Sequence, residues 1–336
     1  MSAGDLYLTE LRAAKEVTPG TAITTMTRRL YGDEVSFSPN VDVEPIRAQT
    51  GTRTNVVGIR KGPFQVTGSL TAGIAPSEMV EWFDLAINGT PTVSTPMGGT
   101  LTRDRVYLPG TLGSATFEYN DAALIYRVAG ARINTWTLDV DPTGDASFSA
   151  EFFATNHVTI GAMTGTVTQR TPDFLSGWQG TFEMALFGSS TYTTFNDLVM
   201  GASFTMNNNL DRVYTLRNTQ AAKRVSVGLM DASATMTFDA ADAQAATELI
   251  NWRTDVKKVL RLTLVSQTAI EGALFPSVII EMPGAWTAPD LAGTTQNVRS
   301  YSFPLQYVLD SNLGGGIKVT VRANRPATGA NSPWLD

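Results

Sequence analysis

Cysteine is absent from the 336 residues, which excludes disulfides and thiolate metal sites and leaves the redox compartment unread. Histidine occurs once, as His157, so no His pair and no HExxH spacing exists to hold a transition metal. A lone His in Ala-Thr-Asn-His-Val-Thr reads as an ordinary surface or core residue. Charge is scarce: 17% of the chain is charged, against about 25% in an average globular protein. That suits a chain whose surface is covered, including by copies of itself. Cations are outnumbered, for a net charge of −6, which argues against a protein that grips phosphates. No apolar run approaches ~18 residues, so no membrane helix is expected. The opening MSAGDLYLTELRAAKEVTPG lacks the apolar stretch of a signal peptide. No Gly-x-Ser-x-Gly occurs. Gly314-Gly315-Gly316 lacks the Lys-Ser/Thr of a phosphate loop and reads as a flexible hinge.

What is abundant is threonine, 45 residues in all, a β-branched residue that suits half-exposed strands. Hydrophobic residues make up 43%, enough for two ordinary cores. Arginine outnumbers lysine 19 to 6. Interface use of Arg and codon bias both account for that ratio. Asp139, Asp141 and Asp145 flank a turn and invite a calcium reading, but three carboxylates fall short of six to eight oxygens, and a solvated strand face is the simpler account. No carboxylate pair is singled out for glycosidase chemistry.

One stretch occurs twice. Glu78-Met79-Val80-Glu81-Trp82 answers Glu248-Leu249-Ile250-Asn251-Trp252, displaced by 170 positions. Each copy reads as a short amphipathic helix, with Met79, Trp82, Phe83, Ala86 and Ile87 in one apolar stripe. Ser77 and Asp239 are the expected N-caps. Trp82 and Trp252 are the expected core anchors, each costing roughly 3–5 kcal/mol on truncation to Ala. Flanking segments repeat in the same order. Ser203-Phe204-Thr205 answers Ser36-Phe37-Ser38, Ala234-Thr235-Met236 answers Gly68-Ser69-Leu70, Gly284-Ala285 answers Gly130-Ala131, and Ser300-Tyr301-Ser302 answers Ser147-Phe148-Ser149. The chain is therefore expected to hold two copies of one unit, 1–165 and 166–336, with an insertion in the first copy within 88–113. The first unit has an N-terminal arm, a long loop or projecting hairpin over 38–63 and a helix over 77–87. The second has a long loop over 207–231, a helix over 240–253 and a C-terminal arm. Residues 88–113 read as a surface excursion. Pro304 marks an edge or bulged strand, because it lacks an N–H.

Both long loops are basic. The first carries Arg47, Arg53, Arg60 and Lys61, and the second Arg212, Arg217, Lys223 and Arg224. Solvated loops would explain the charge. The functional alternative is a pair of matched arms that contact acidic surface on neighbouring subunits.

Taken together, these features resemble the tail tube proteins, or major tail proteins, of long-tailed, non-contractile bacteriophages. They are a Thr-rich, acidic, cysteine-free β chain, a mid-domain amphipathic helix, the Gly-centred strand Gly130-Ala-Arg-Ile-Asn-Thr-Trp136 and an alternating closing strand. The resemblance spans about 20–155 and 190–322. It implies a mainly β fold of two tandem β-sandwich or partial-barrel domains, each with one flanking helix. The usual subunit of that family has one such domain in a hexameric ring. Two domains are similar to the duplicated type, which forms trimeric, pseudo-hexameric rings. The implied partners are other copies of the chain, the tape measure, the tail terminator and the baseplate. DNA would transit the lumen without specific binding, and no enzyme activity, cofactor or membrane contact is implied. The chain would reside in the phage tail, and in host cytoplasm during assembly. Rival readings are a tail terminator or baseplate hub, a secreted carbohydrate-binding β-sandwich, and a porin-like barrel, which the helices and missing aromatic girdle fit poorly.

Overall fold

The period-two alternation read along the chain is realised as antiparallel strands. The computed structural model describes residues 10–48, 56–97, 102–120, 124–167, 171–195, 197–216, 219–324 and 334. The first half runs β1 (Leu11–Lys15), β2 (Arg28–Leu30), β3 (Glu34–Arg47), β4 (Val56–Gly73), α1 (Pro76–Ala86), β5 (Thr92–Val93), β6 (Thr102–Tyr107), β7 (Ala115–Asn120), β8 (Ile125–Val140), β9 (Ser147–Ala154) and β10 (Asn156–Ile160). A 3-10 turn at Gly177–Gln179 leads into β11 (Gly180–Leu186), β12 (Thr193–Thr194), β13 (Val199–Asn207), β14 (Asp211–Val213), β15 (Arg224–Ser226) and β16 (Asp231–Asp239). Then come α2 (Ala243–Arg253), β17 (Lys258–Val265), β18 (Ser277–Trp286), β19 (Asp290–Thr295), β20 (Val298–Tyr307) and β21 (Lys318–Asn324).

The fold is mainly β, a sandwich whose strands share one hydrophobic core. In the first half, neighbours run β2-β1-β7-β8-β9-β4-β3, with β10 also on β8. In the second, they run β12-β11-β17-β18-β20-β16-β13, with β21 on β18. The registers correspond as well. Phe37 faces Gly68 and Leu70 faces Ala150, just as Phe204 faces Ala234 and Met236 faces Phe303.

β8 changes sheets along its length. Its first part pairs with β7 and β10, and its last part with β9 and β13. The bend comes at Gly130, at φ +69, where a Cβ would lie 2.3 Å from Thr155 Oγ1. The buried Glu16 carboxylate accepts the Gly130 N–H at 2.7 Å and the hydroxyls of Ser114 and Thr116. Gly284 holds the matching position on β18, where a Cβ would lie 2.2 Å from the Leu305 side chain. Two contacts join the halves edge to edge: β13 pairs with β8, and β21 pairs with β6.

Several expectations are corrected. Within the expected N-terminal arm, Leu11–Lys15 form strand β1. Over 38–63 it is the hairpin alternative that is realised, as the extended arms of β3 and β4. The segment 207–231 contains the small β14–β15 hairpin. Part of 88–113 is β6, a paired strand rather than a surface excursion. Helix α1 starts at Pro76 with Ala75 as an N-cap that makes no side-chain bond, and α2 is capped by Asp242 rather than Asp239. Gly314 turns at φ +84, and a Cβ on Gly316 would meet the Tyr307 ring at 2.4 Å, so this segment is a packed turn and not a hinge. Pro304 is neither on an outer edge nor bulged. It lies on β20 where its neighbour is interrupted between β18 and β19, so its missing N–H breaks no ladder.

The two helices differ. Every α1 residue except Ser77 is buried, and α1 packs on β8, β6 and β21. Trp82 is fully buried and stacks on Phe117 at 6.2 Å. Of α2, only Ala245 and Glu248 are buried. Trp252 is half-buried, so it is a weaker anchor than its counterpart. The group that fastens α2 is Glu248, which accepts the Trp286 indole N–H at 2.8 Å and lies 3.6 Å from Lys258.

Candidate assembly surfaces

Following the pairings, one sheet runs through both halves as β3-β4-β9-β8-β13-β16-β20-β19. Alternation gives it two unlike faces. One buries Leu70, Phe148, Trp136, Phe204, Met236 and Phe303. The other is hydroxyl-rich. A row along the pairing direction reads Thr71, Ser149, Thr137, Thr205, Ser233, and a second reads Ser36, Ser69, Glu151, Thr135, Asn207. Neighbouring hydroxyls bond across strands, Thr137 to Thr205 at 3.0 Å and Ser36 to Ser69 at 2.8 Å. Such pairs stabilise the ladder without needing charge. The charged residues on this face are mostly acidic, Glu34, Asp139, Glu151, Asp231, Asp239 and Asp290 among them; of its arginines, Arg132, opposite Phe153, is buried, and Arg60, opposite Glu44, pairs with that carboxylate out on the hairpin. This face was missed in the sequence reading. Its signal was the Ser/Thr at alternate positions of one strand after another.

The second surface is the far part of the β3–β4 hairpin. Val43, Ile46, Val57 and Ile59 are exposed there, Ile59 at 66%. Exposed apolar side chains on a projecting ribbon are an aggregation liability unless something covers them.

The basic residues divide. Arg60 forms an ion pair with Glu44 on the hairpin, and Arg47 and Lys61 are exposed beside it. Arg53 and Arg217 lie outside the described residues. Arg212 is engaged within the chain: it donates to the Val66 carbonyl at 2.6 Å and covers the Phe153 ring at 4.1 Å, and burial lowers its pKa. Tyr214 and Gln220 bond the Phe64 and Gly62 carbonyls, so the β14–β15 excursion lies against the base of the first-half hairpin. Lys223 and Arg224 remain exposed. The two basic segments are thus not equivalent in their contacts.

His157 lies on β10 with Tyr119 Oη 3.0 Å from its Nε2 and the Tyr126 ring 4.7 Å away. Burial lowers its pKa. Asp141 accepts from the Thr143 N–H and hydroxyl, and Asp145 accepts from Ser176. Among the described residues no group of three potential metal ligands comes together.

The family model described as phage tail tube protein matches residues 8–306. The chain belongs to the phage tail tube family. No curated protein matches it. A tail tube protein is a structural component of the virion tail, from a family that is generally non-enzymatic, and it self-assembles into a tube alongside other tail proteins. Among the described residues of this tail tube protein, no helix is long and apolar enough to cross a membrane.

Proposed function

We propose that three copies of this chain close into a pseudo-hexameric ring, and that stacked rings form the conduit through which DNA is ejected. Each copy contributes two tandem units, 1–165 and 166–336. The observation that carries this reading is the hydroxyl-rich sheet face, which runs through both halves and whose charges are mostly carboxylates, its Arg132 being buried and its Arg60 paired with Glu44 on the hairpin. Turned inward, it lines the lumen. A wall whose exposed charges are mostly carboxylates gives phosphates little to hold, so DNA slides rather than binds. The recurring strand order supports two units per chain. The exposed apolar hairpin arms, with Arg47, Arg60 and Lys61 beside them and Lys223 and Arg224 on the second excursion, supply ring-to-ring contacts. Such contacts are heterologous, so stacking continues into an open filament. The tape measure then occupies the lumen before ejection, and the terminator and baseplate close the two ends.

Negative-stain microscopy of the purified protein tests this. Rings or tubes with a central hole and apparent sixfold symmetry are expected. Solitary particles at high protein concentration would overturn the reading.

A further inference from the structure

The junction inside the chain specifies the junction between chains. Where the halves meet, β8 of the first pairs antiparallel with β13 of the second, Asp139 opposite Ser203 and Val140 opposite Ala202. Each partner has a counterpart whose outer edge bears no strand among the described residues. The counterpart of β13 is β3, because both lead into the same run of neighbours, with Phe204 standing where Phe37 does. The counterpart of the last part of β8 is β19. Asp139 faces Ser147 on β9, and Gly293 faces Ser300 on β20, at matching places in the repeat. One chain therefore ends in a β8-like edge at one side of its sheet and a β13-like edge at the other.

We propose that β19 of one chain pairs antiparallel with β3 of the next copy, in the register of the internal junction. Gly293 then lies opposite Ser36 of the neighbour, and Thr294 opposite Val35. This rests on the ring reading above and adds to it the pair of edges and their alignment. A second feature agrees. Within the chain, β21 of the second half lies against α1 of the first and helps to bury it. By the same relation, β10 of the neighbour lies against α2, where Ile250 is 60% exposed and Trp252 half-buried in the lone chain. Closure would cover both the strand edges and this helix, and remove edges that otherwise template aggregation.

The absence of native cysteine makes the register measurable. Directly opposed residues in an antiparallel pair sit about 4.5–5.5 Å apart at Cα, within disulfide reach. Ser36→Cys with Gly293→Cys is the in-register pair, and Val35→Cys with Thr294→Cys reports the same register on the opposite face if the crowding of Gly293 against Ser300 impairs folding. Ser36→Cys with Thr295→Cys is the out-of-register control on the same face. Each is assembled, confirmed by microscopy, oxidised and run on a non-reducing gel. The expected result is loss of the monomer band to covalent dimers and closed trimers for the in-register pairs, and retention of monomer for the control. Tubes that form while the in-register pairs cross-link no better than the control overturn the proposed register and leave the tube reading standing. Failure of wild-type chain to form rings or tubes overturns both.

Discussion

Among single residues, Asp84 on α1 stands out for its surroundings. It is fully buried, and burial raises its pKa from 3.8 to about 6, with the Lys15 ammonium at 2.9 Å and the Trp334 indole N–H at 3.1 Å opposing the rise and Glu81 adding to it. The folded state holds this proton more tightly than the unfolded chain. Its stabilising contribution is therefore fully present below about pH 4 and is lost as pH rises through about 6, an effect of roughly 3 kcal/mol. Asp84→Asn should flatten the stability profile between those values. Denaturant melts of both proteins at pH 4, 5, 6 and 7 would measure it; an unchanged slope would mean that other groups carry the pH dependence. The same neighbourhood holds Arg28, fully buried, with Nε 3.0 Å from Glu81 and a guanidinium nitrogen 3.7 Å from Glu78. Buried charges survive only when paired. Glu78 and Glu248 occupy the same place in the repeated motif, and both are buried. Read along a helix, a glutamate looks like the solvent side, and only its recurrence hinted otherwise.

At the scale of the element, two helices of similar sequence have different environments. α1 is covered by β8, β6, β21 and the Trp334 side chain, whereas among the described residues α2 packs chiefly on β18, the counterpart of β8. Trp82→Ala should therefore cost roughly 3–5 kcal/mol in the isolated chain. Trp252→Ala should cost well under half as much, because a half-buried ring loses less contact. Chemical denaturation of dispersed protein provides the comparison, and equal losses would contradict the burial difference. In assembled tubes the Trp252 variant should lose more than it does as a dispersed chain, since closure would bury the α2 surface. The long β3–β4 hairpin makes a similar point. Its residues are strand formers throughout, yet its far part buries little, so pairing with its own other arm holds it extended while its apolar side chains stay exposed.

Across the whole molecule, the sheet shared by both halves separates a packed apolar side from a hydroxyl side. If that side faces DNA, adding cations should convert sliding into binding. Ser69→Arg together with Thr205→Arg should make assembled tubes retain a short labelled duplex at low salt and release it as salt rises, because each phosphate contact exchanges for counterions. Co-sedimentation measures this, and tubes that retain no more duplex than wild type would remove this face from the lumen. Composition, the β alternation, the position of both helices and the order of the repeated segments were legible in the sequence, because they depend on local periodicity and on glycines at Gly130 and Gly284 that tolerate no side chain. The pairing of β13 with β8, the strand hidden in 88–113, the burial of Glu78 and Glu248 and the unequal covering of Trp82 and Trp252 were decided only by the tertiary structure. Each depends on which distant segment arrives alongside, and hydrogen bonding between strand edges carries almost no signature in the side chains that flank it.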